Sequence, residues 1–292
     1  MECICCCSNK IIYEPSGLEG YYRCLSCKFV FTVVKDTGRL REGLVHHYEK
    51  VDPHERIAES KESFFSSAID YISYHHGTSG KMILDIGCGF GYFLELAGRK
   101  GWQTFGVEIA HDAAQAAKGK FGDGNIFQGT LRQVKYPANL FDVITLWDVL
   151  VFVEDPFEEL KECYRIMKAG GILGIRVRNV FFQMTAYRIY SYLNRIVSKL
   201  AMKTPYVFHK YSFGSKSIYQ LLRRIGFRNI RIINSPLSKA DPYGHFGSDE
   251  LAQAAKLAIE IISRCVFSLS GGKLVIGPSL LVWAQKPYSH KV

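Results

Sequence analysis

The sequence predicts an α/β protein whose core is a doubly wound, mostly parallel sheet. An apolar run at residues 81–86, with β-branched Ile83 and Ile86, ends in three alternate glycines and is followed by helical spacing at 92–97. Strand-like and helix-like segments then alternate along the chain, which is the pattern of a parallel sheet covered by helices. Six of the nine cysteines lie within the first 27 residues and indicate a small N-terminal unit of different character.

Composition sets broad limits on the class of protein. The chain has 292 residues and 48% hydrophobic content, which is ample for a packed core. It has no signal peptide and no uninterrupted apolar span of about 20 residues, so we expect a cytoplasmic protein, soluble or peripheral at the membrane. The net charge of +10 is compatible with nucleic acid, anionic lipid or phosphorylated small molecules and does not choose among them.

The glycines after the first core strand form the motif Asp85-Ile-Gly87-Cys-Gly89-Phe-Gly91. Glycine is needed where the backbone takes unusual dihedral angles or approaches a ligand closely, and N–H groups at a helix start favour an electronegative ligand. The third glycine comes two residues after the second, whereas dinucleotide binders usually have it three residues after. This spacing argues against NAD.

The motif resembles the first motif of class I S-adenosylmethionine-dependent methyltransferases. The resemblance implies a Rossmann-like, seven-stranded sheet that binds S-adenosylmethionine (SAM). It continues at Gln103–Glu108, a second strand ending in a carboxylate, where the family holds both ribose hydroxyls through two acceptor oxygens. The cofactor-binding residues that it implies are Asp85, Gly87, Cys88, Gly89, Gly91, Tyr92, Phe93, Glu108, Ile109, Thr130, Leu131, Trp147 and Asp148.

The ends of the next two predicted strands complete this site. Residues 125–131 form the third strand, whose end lies beside adenine in the family. Many relatives have an acid at or near Thr130, so backbone groups of Thr130 and Leu131 are the expected contacts here. Residues 141–148 form the fourth strand, and ligands of open α/β sheets bind beyond such carboxyl ends. Asp148 is a candidate catalytic carboxylate near the sulfonium or, alternatively, the cap of a turn.

A candidate proton acceptor is harder to find in the sequence. Residues 148–156 resemble a family segment that usually has Leu-Glu-His before its last Asp-Pro, but Val151 and Phe152 occupy the Glu-His places. This departure removes a candidate catalytic histidine and favours catalysis by proximity alone. His209 is then the best histidine for the acceptor pocket, and its alternative role is to fix a loop by hydrogen bonding. The adjacent His46 and His47 are interpreted as solvated.

The N-terminal cysteines predict a metal site. Cys3-x-x-Cys6 and Cys24-x-x-Cys27 are 17 residues apart, which is the spacing of two thiolate knuckles on one tetrahedral zinc. In a cytosolic chain such a pattern favours metal over disulfides. Bound zinc would hold together a segment of about 30 residues that lacks a core of its own.

The ligand choice depends on the first knuckle, which also contains Cys5 and Cys7. Cys6-Cys7-Ser8 resembles the Cys-Gly-Ser that often ends such a knuckle, and this selects Cys3 and Cys6 as the ligands. We therefore predict a zinc ribbon over residues 1–35, with a hairpin at 21–31.

The remaining chain divides into a connecting segment and a core. Residues 36–80 are predicted as a linker and a helix, at 55–76, that helps to cover the cofactor. Residues 81–292 are predicted as the methyltransferase core, including an insertion at 179–214. The insertion combines aromatic and basic residues, so it is either a lid over the substrate or an interfacial helix on an anionic membrane.

The predicted function is SAM-dependent methyl transfer to a small-molecule, sugar or lipid-linked acceptor by in-line displacement. A ribbon ahead of such a core resembles a bacterial and archaeal subgroup tied to sugar, polysaccharide or lipid modification. One alternative is an RNA or protein methyltransferase that uses the ribbon and basic surface. The sequence shows no aromatic-interleaved nucleic-acid motif and no Asn-Pro-Pro-Tyr-like motif after strand four, which disfavours it. A non-catalytic scaffold is disfavoured by the intact glycine turn and Glu108.

Overall fold

The computed structural model describes residues 1–14, 20–33, 56–78, 80–196, 209–238 and 249–288. His46, His47 and most of the predicted linker lie outside these ranges. Two sheets organise the described part of the chain, one with seven strands and one with four.

The seven-stranded sheet forms the centre of the molecule. Its strands are β4 (Met82–Ile86), β5 (Gln103–Glu108), β6 (Ile126–Gln128), β7 (Phe141–Trp147), β8 (Met167–Arg178), β10 (Arg228–Asn234) and β11 (Ser279–Gln285). They are arranged in the order β10-β11-β8-β7-β4-β5-β6. Strands β4 to β8 run parallel, and β11 is antiparallel to both β8 and β10. The predicted fold class is confirmed.

Helices follow most strands and cover both faces of this sheet. They are α1 (Arg56–His76), α2 (Tyr92–Arg99), α3 (His111–Phe121), α4 (Leu131–Val134), α5 (Pro156–Ile166), α6 (Val180–Ile196), α7 (Ser215–Ile225) and α8 (Asp249–Leu269). Local sequence sets several ends. Asp155 caps α5 by accepting from the backbone N–H groups of Phe157 and Glu158, and Pro156 occupies the first helical position.

Two apolar layers bury the faces of the sheet. On one face, α1 packs Phe64, Phe65 and Ile69 against Phe93 and Trp147. The other face forms the larger core, with α5 and α7 contributing fully buried Leu160, Cys163, Ile218, Leu221 and Leu222. Because both faces are covered, the central strands β4 and β7 are mostly apolar and buried. A ligand would therefore bind beyond the carboxyl ends of β4, β5, β7 and β8, which lie on the same side of the sheet.

The four-stranded sheet joins the N-terminal ribbon to the core. Its order is β1 (Ile11–Tyr13), β2 (Tyr21–Cys24), β3 (Val30–Thr32) and β9 (Tyr211–Ser212), with antiparallel neighbours. The pairing of β2 with β3 is the predicted hairpin. Strand β9 lies near the end of the predicted insertion at 179–214, and sequence analysis had not assigned it to the ribbon. The ribbon is thus part of a sheet that continues into the core.

Glycines alter two strands of the central sheet. Strand β8 begins at Met167 and runs through Gly170 and Gly171. Its pairing with β7 shifts register between Phe141 and Val143, so the glycines lie in a strand irregularity. Strand β6 is shorter than expected, because Gly129 takes a φ of 147° and the short helix α4 begins directly afterwards.

Candidate cofactor and acceptor site

The glycine turn after β4 has a backbone that only glycine adopts readily. Gly87, Gly89 and Gly91 have φ values of 71°, 54° and 80°. A Cβ on Gly87 would collide with Val149, and a Cβ on Gly91 would collide with the ring of Phe121. The turn therefore requires glycine both for its dihedral angles and for the close approach of neighbouring side chains.

Glu108 is fixed beside this turn by two backbone donors. The N–H of Gly89 donates to its Oε2 at 2.8 Å, and the N–H of Ala110 donates to its Oε1 at 2.8 Å. The side chain is 5% exposed. Each carboxylate oxygen retains a lone pair for a further donor. A rigid carboxylate at the end of β5 fits the expected pair of ribose hydroxyls.

Asp85 contacts the neighbouring strand. Its Oδ1 accepts from the Thr145 hydroxyl at 2.6 Å. Burial raises the pKa of Asp85 to about 8, the nearby Glu108 charge adds to this, and the Thr145 hydrogen bond opposes it. Asp85 lies two residues before Gly87, and Glu108 accepts from the N–H of Gly89, so the two carboxyl groups flank the start of the turn.

The side chains of Cys88, Tyr92 and Phe93, three of the predicted cofactor residues, pack against neighbouring parts of the protein. Cys88 is buried against Leu94 and Ile126. The Phe93 ring packs between Phe65 and Trp147, so its side chain belongs to the core. Tyr92 lies under the Lys120 ammonium, 4.7 Å from the ring centroid.

At the ends of β5 and β6, Ile109 is 50% exposed beyond Glu108, and Leu131 is buried. Both backbone groups of Thr130 are engaged. Its N–H donates to Gln133 Oε1 at 2.8 Å, and its carbonyl accepts from Gln133 N–H at 3.0 Å. The expected backbone contact from Thr130 to adenine therefore competes with the cap of α4, and Ile109 is an exposed apolar residue at this edge.

Asp148 is held in an ion-pair cluster directly after β7. Its Oδ2 lies 2.5 Å from Arg176 Nη1 and 3.1 Å from Lys61 Nζ. Arg176 is 2% exposed, and its Nε donates to the Ser235 hydroxyl at 2.9 Å. Burial alone would raise the pKa of Asp148, but Arg176 and Lys61 hold it well below the usual range. Asp148 is therefore an anion and a poor proton acceptor at neutral pH.

His209 lies over the loop that follows β7. Its ring meets the Phe152 ring edge to face, with centroids 4.6 Å apart. The residue is 8% exposed. Burial, and then the charge of Arg178, lower the pKa of His209 to about 4, although Asp148 opposes the shift. The imidazole is therefore neutral at pH 7.

Five buried polar atoms near the carboxyl ends of β7 and β8 lack a hydrogen-bond partner among the described residues. They are Trp147 Nε1, Asp148 Oδ1, Gln183 Nε2, His209 Nδ1 and the Oγ of Ser279, which pairs with Arg178 at the end of β8. Buried polar groups are normally paired, so this group indicates a place for a polar ligand. Sequence analysis found three of these residues and missed Gln183 and Ser279. It also missed Lys61 and Arg176, the ion-pair partners of Asp148. Arg176 could have been noticed in the sequence, because it is a charged residue within the otherwise apolar stretch of β8.

The four predicted zinc ligands come together in the ribbon. The sulfur atoms of Cys3, Cys6, Cys24 and Cys27 lie within 4.8 Å of one another. Cys3 Sγ is 3.6 Å from Cys27 Sγ, and Cys6 Sγ is 3.6 Å from Cys24 Sγ, so the thiols are close but not bonded. A set of four soft sulfur donors suits tetrahedral zinc. Cys5 is buried beside this cluster, whereas Cys7 is exposed.

Comparison with known proteins identifies the family. The model of a methyltransferase domain matches residues 54–232, which is more than half of the chain. The chain belongs to this methyltransferase-domain family. The family prediction is confirmed, and the glycine turn, Glu108, Asp148 and most of the acceptor-side residues lie within the matched range.

Relatives and solved structures agree with this assignment. The chain is 31% identical over 116 residues to ubiquinone biosynthesis O-methyltransferase of Psychrobacter arcticus, and the match covers 35% of this chain and 45% of that relative. The chain spans about half the length of the curated relatives it matches. A SAM-dependent methyltransferase structure from Archaeoglobus fulgidus is 25% identical, with a TM-score of 0.50 over 78% of this chain and 95% of that one.

A SAM-dependent methyltransferase structure from Thermotoga maritima, described as a possible histamine N-methyltransferase, shows the same fold. Its TM-score is 0.51 at 19% identity, over 85% of this chain and 99% of that one. Within the part of the methyltransferase that the structure describes, every helix is too short or too polar to cross a membrane.

Proposed function

We propose that this protein transfers a methyl group from SAM to a small-molecule acceptor by in-line displacement. The observation that carries the proposal is Glu108, whose two oxygens are fixed by Gly89 and Ala110 beside the glycine turn. When bound, SAM supplies a methyl group activated by its sulfonium. The anionic carboxylate would accept both ribose hydroxyls, and the turn would let the backbone approach the cofactor closely.

The acceptor would lie beyond the carboxyl ends of β7 and β8. Trp147, Gln183 and His209 each have an unpartnered buried nitrogen there, within the described residues, and these nitrogens would orient it. Proximity and alignment can supply roughly 7–11 kcal/mol of the barrier in favourable cases. The Asp148 anion would contribute electrostatically near the reacting methyl group, because its ion pairs keep it unprotonated.

We assign the proton-accepting role to His209. Its ring is neutral at pH 7, since burial lowers its pKa to about 4, and Nδ1 has no partner among the described side chains and backbone groups. A base of this strength is weak, so it suits an acidic hydroxyl. A phenol, whose pKa is about 10 in tyrosine, fits better than an aliphatic sugar hydroxyl. The curated relatives named O-methyltransferases support an oxygen acceptor.

The cofactor site is tested by calorimetric titration with S-adenosylhomocysteine (SAH). We expect saturable binding by the wild type and roughly hundredfold weaker binding by Glu108→Ala, because charged hydrogen bonds to the ribose are lost. Glu108→Gln retains the shape and should fall between them. Glu158→Ala on the surface of α5 is the control and should bind normally. A folded wild type that binds no SAH would refute the proposal.

Acceptor chemistry is tested with radiolabelled SAM and a panel of phenols matched to aliphatic alcohols of similar size. Methylation of phenols, and its loss in His209→Gln with SAH affinity retained, would support the assignment of His209. Equal transfer to alcohols and phenols would contradict the acceptor class while leaving the cofactor site intact.

The ribbon would hold one zinc ion through Cys3, Cys6, Cys24 and Cys27. The clustering of their sulfurs within 4.8 Å supports this ligand set. Zinc there would be structural, because four thiolates leave no open position for substrate.

The insertion has features of both predicted roles, a lid and an interfacial helix. Gln183 and Met184 of α6 are buried, as a lid requires, whereas Phe181, Ile189 and Tyr192 are 56–66% exposed. Exposed aromatic and apolar residues on a chain of net charge +10 support peripheral contact with an anionic membrane and a lipid-linked acceptor. Flotation with anionic vesicles tests this contact. Ile189→Ser/Tyr192→Ser should reduce flotation, and no binding by the wild type would contradict it.

A further inference from the structure

The ribbon reaches the segment that carries His209 through backbone pairing. Strand β3 pairs with β9 at Val30 with Ser212 and at Phe31 with Tyr211. One residue further, the N–H of Thr32 donates to the carbonyl of Lys210 at 3.1 Å. The last of these hydrogen bonds thus lies next to His209 in the chain. A two-residue strand such as β9 depends on its partner for its conformation.

Aromatic packing strengthens this junction on the ribbon side. The Phe29 ring is stacked on Tyr211 at a centroid distance of 6.1 Å and is tilted against Phe213 at 5.1 Å. Phe29 is 1% exposed. It follows the metal-ligand candidate Cys27 by two residues, and its carbonyl accepts from the N–H of Cys24 at 2.9 Å. The second cysteine knuckle therefore fixes the position of Phe29.

On its other side, the same segment rests on the loop after β7. The Tyr211 hydroxyl donates to the carbonyl of Glu154 at 2.7 Å, and Lys210 Nζ donates to the same carbonyl at 3.0 Å. The His209 ring then meets Phe152. The segment is thus clamped between the ribbon and the loop that begins with Asp148.

We propose that the metal-loaded ribbon holds His209 over the acceptor pocket, with Phe29 as the main positioning residue. This inference rests on the proposed acceptor role of His209. It gives the ribbon a part in the acceptor half of the site, while the cofactor half is built on the ends of β4, β5, β6 and β7. Loss of the metal frees the Cys24 knuckle, and the Phe29 contacts to β9 are lost with it.

The test uses the full chain and compares Phe29→Leu with Tyr13→Leu. Tyr13 is a matched control because it is an aromatic residue of the same ribbon, 51% exposed in β1, at the sheet edge opposite β9. Both variants are assayed for zinc content, SAH affinity and the NMR titration of labelled histidine rings. His209→Gln identifies the His209 signal.

In Phe29→Leu we expect zinc and SAH affinity to be retained while the pKa of His209 moves from about 4 toward its ordinary 6.5. The ring would leave Phe152 and lie farther from Arg178 and Asp148, the charged groups that act on it. Turnover should fall about tenfold or more, because small displacements of a reacting group are costly. Tyr13→Leu should leave all of these quantities unchanged.

Removal of zinc from the wild type by a chelator should produce the same rise in the pKa of His209. If Phe29→Leu does not fold, Phe29→Met is a milder variant of the same position. An unchanged His209 titration in zinc-free protein, or in a folded Phe29 variant, would overturn the inference. A wild type that binds no SAH would instead refute the proposed function. The two failures are distinguishable because the His209 titration needs no cofactor.

Discussion

The imidazole of His209 lies edge to face on the Phe152 ring, with centroids 4.6 Å apart and ring planes at 67°. Phe152 occupies the position at which the resembled methyltransferases have a histidine. The structure thus brings a histidine from a distant segment to the loop where the family's own histidine is missing. The position of the proposed proton acceptor therefore depends mainly on the contacts that fix residues 209–213, and less on the conformation of the loop after β7.

His209→Gln should lower kcat by about a hundredfold or more, because the acceptor hydroxyl loses its proton acceptor. SAH affinity should not change. Burial lowers the pKa of His209 to about 4, so His209 does not change its protonation state between pH 6 and 8. With an acceptor that stays protonated over this range, the wild-type kcat should therefore not depend on pH. An inflection near 6.5 that disappears in the variant would contradict a buried His209. Steady-state kinetics across this range, with a phenol that the wild type methylates, are the measurement.

Gly87→Ala should destabilise the protein by about 2–5 kcal/mol and abolish SAH binding. Its φ of 71° is costly for alanine, and the added Cβ collides with the stiff side chain of Val149. Gly119→Ala is the matched control, because Gly119 is exposed in α3 with open space around it. It should be neutral or stabilising by up to about 1 kcal/mol. Urea unfolding measures both.

Addition of Val149→Ala to Gly87→Ala should restore part of the stability, since it removes the collision and leaves the backbone strain. Full restoration would mean that the positive φ has no cost at this position.

Most of the central sheet could be predicted because its strands and helices have local signals. The run at β4, the glycines after it and Glu108 lie close together in sequence, and the family motif gives their roles. The pairing of β3 with β9 could not be predicted, because Tyr211–Ser212 is too short for a sequence pattern and its partner Val30 lies 182 residues before Ser212. The ion pairs that join Lys61, Asp148 and Arg176 could not be predicted either, because these three residues lie in different elements that are distant in sequence.

Arg176→Met should cost about 2–4 kcal/mol at pH 7, because it removes the buried partner of Asp148 and leaves a charge that is 28% exposed. Lys61→Met should cost about 1 kcal/mol or less, since Lys61 is 22% exposed and Arg176 remains. The double variant Asp148→Asn/Arg176→Met should cost less than the sum of its two single changes. Denaturant unfolding of all four variants is the measurement, and simple additivity would exclude a coupled cluster.

Asp85 should make the apo protein less stable as pH rises. Its folded pKa of about 8 exceeds the ordinary value, so the folded state binds more protons up to pH 8 and its stability falls with pH. His209 acts in the opposite direction, but only between about pH 4 and 6.5. Between pH 6.5 and 8 the slope from Asp85 should therefore remain, approaching about 1.4 kcal/mol per pH unit.

Asp85→Asn keeps the size of the side chain and an acceptor for the Thr145 hydroxyl, so it should remove this slope. The raised pKa of Glu159, about 7, contributes equally to both proteins and cancels in their difference. Unfolding free energies of the two proteins that run parallel from pH 6.5 to 8 would show that Asp85 is ionised throughout.

Metal analysis should find one zinc ion per chain and should separate the four clustered cysteines from their neighbours. Cys24→Ser should lose zinc and destabilise the ribbon, because the remaining three sulfurs cannot complete the tetrahedral set. Cys7→Ser should keep zinc, since the Cys7 side chain is exposed and its φ of 58° turns the chain after the first knuckle. If Cys7→Ser loses the metal while Cys3→Ser retains it, the first knuckle binds through different sulfurs.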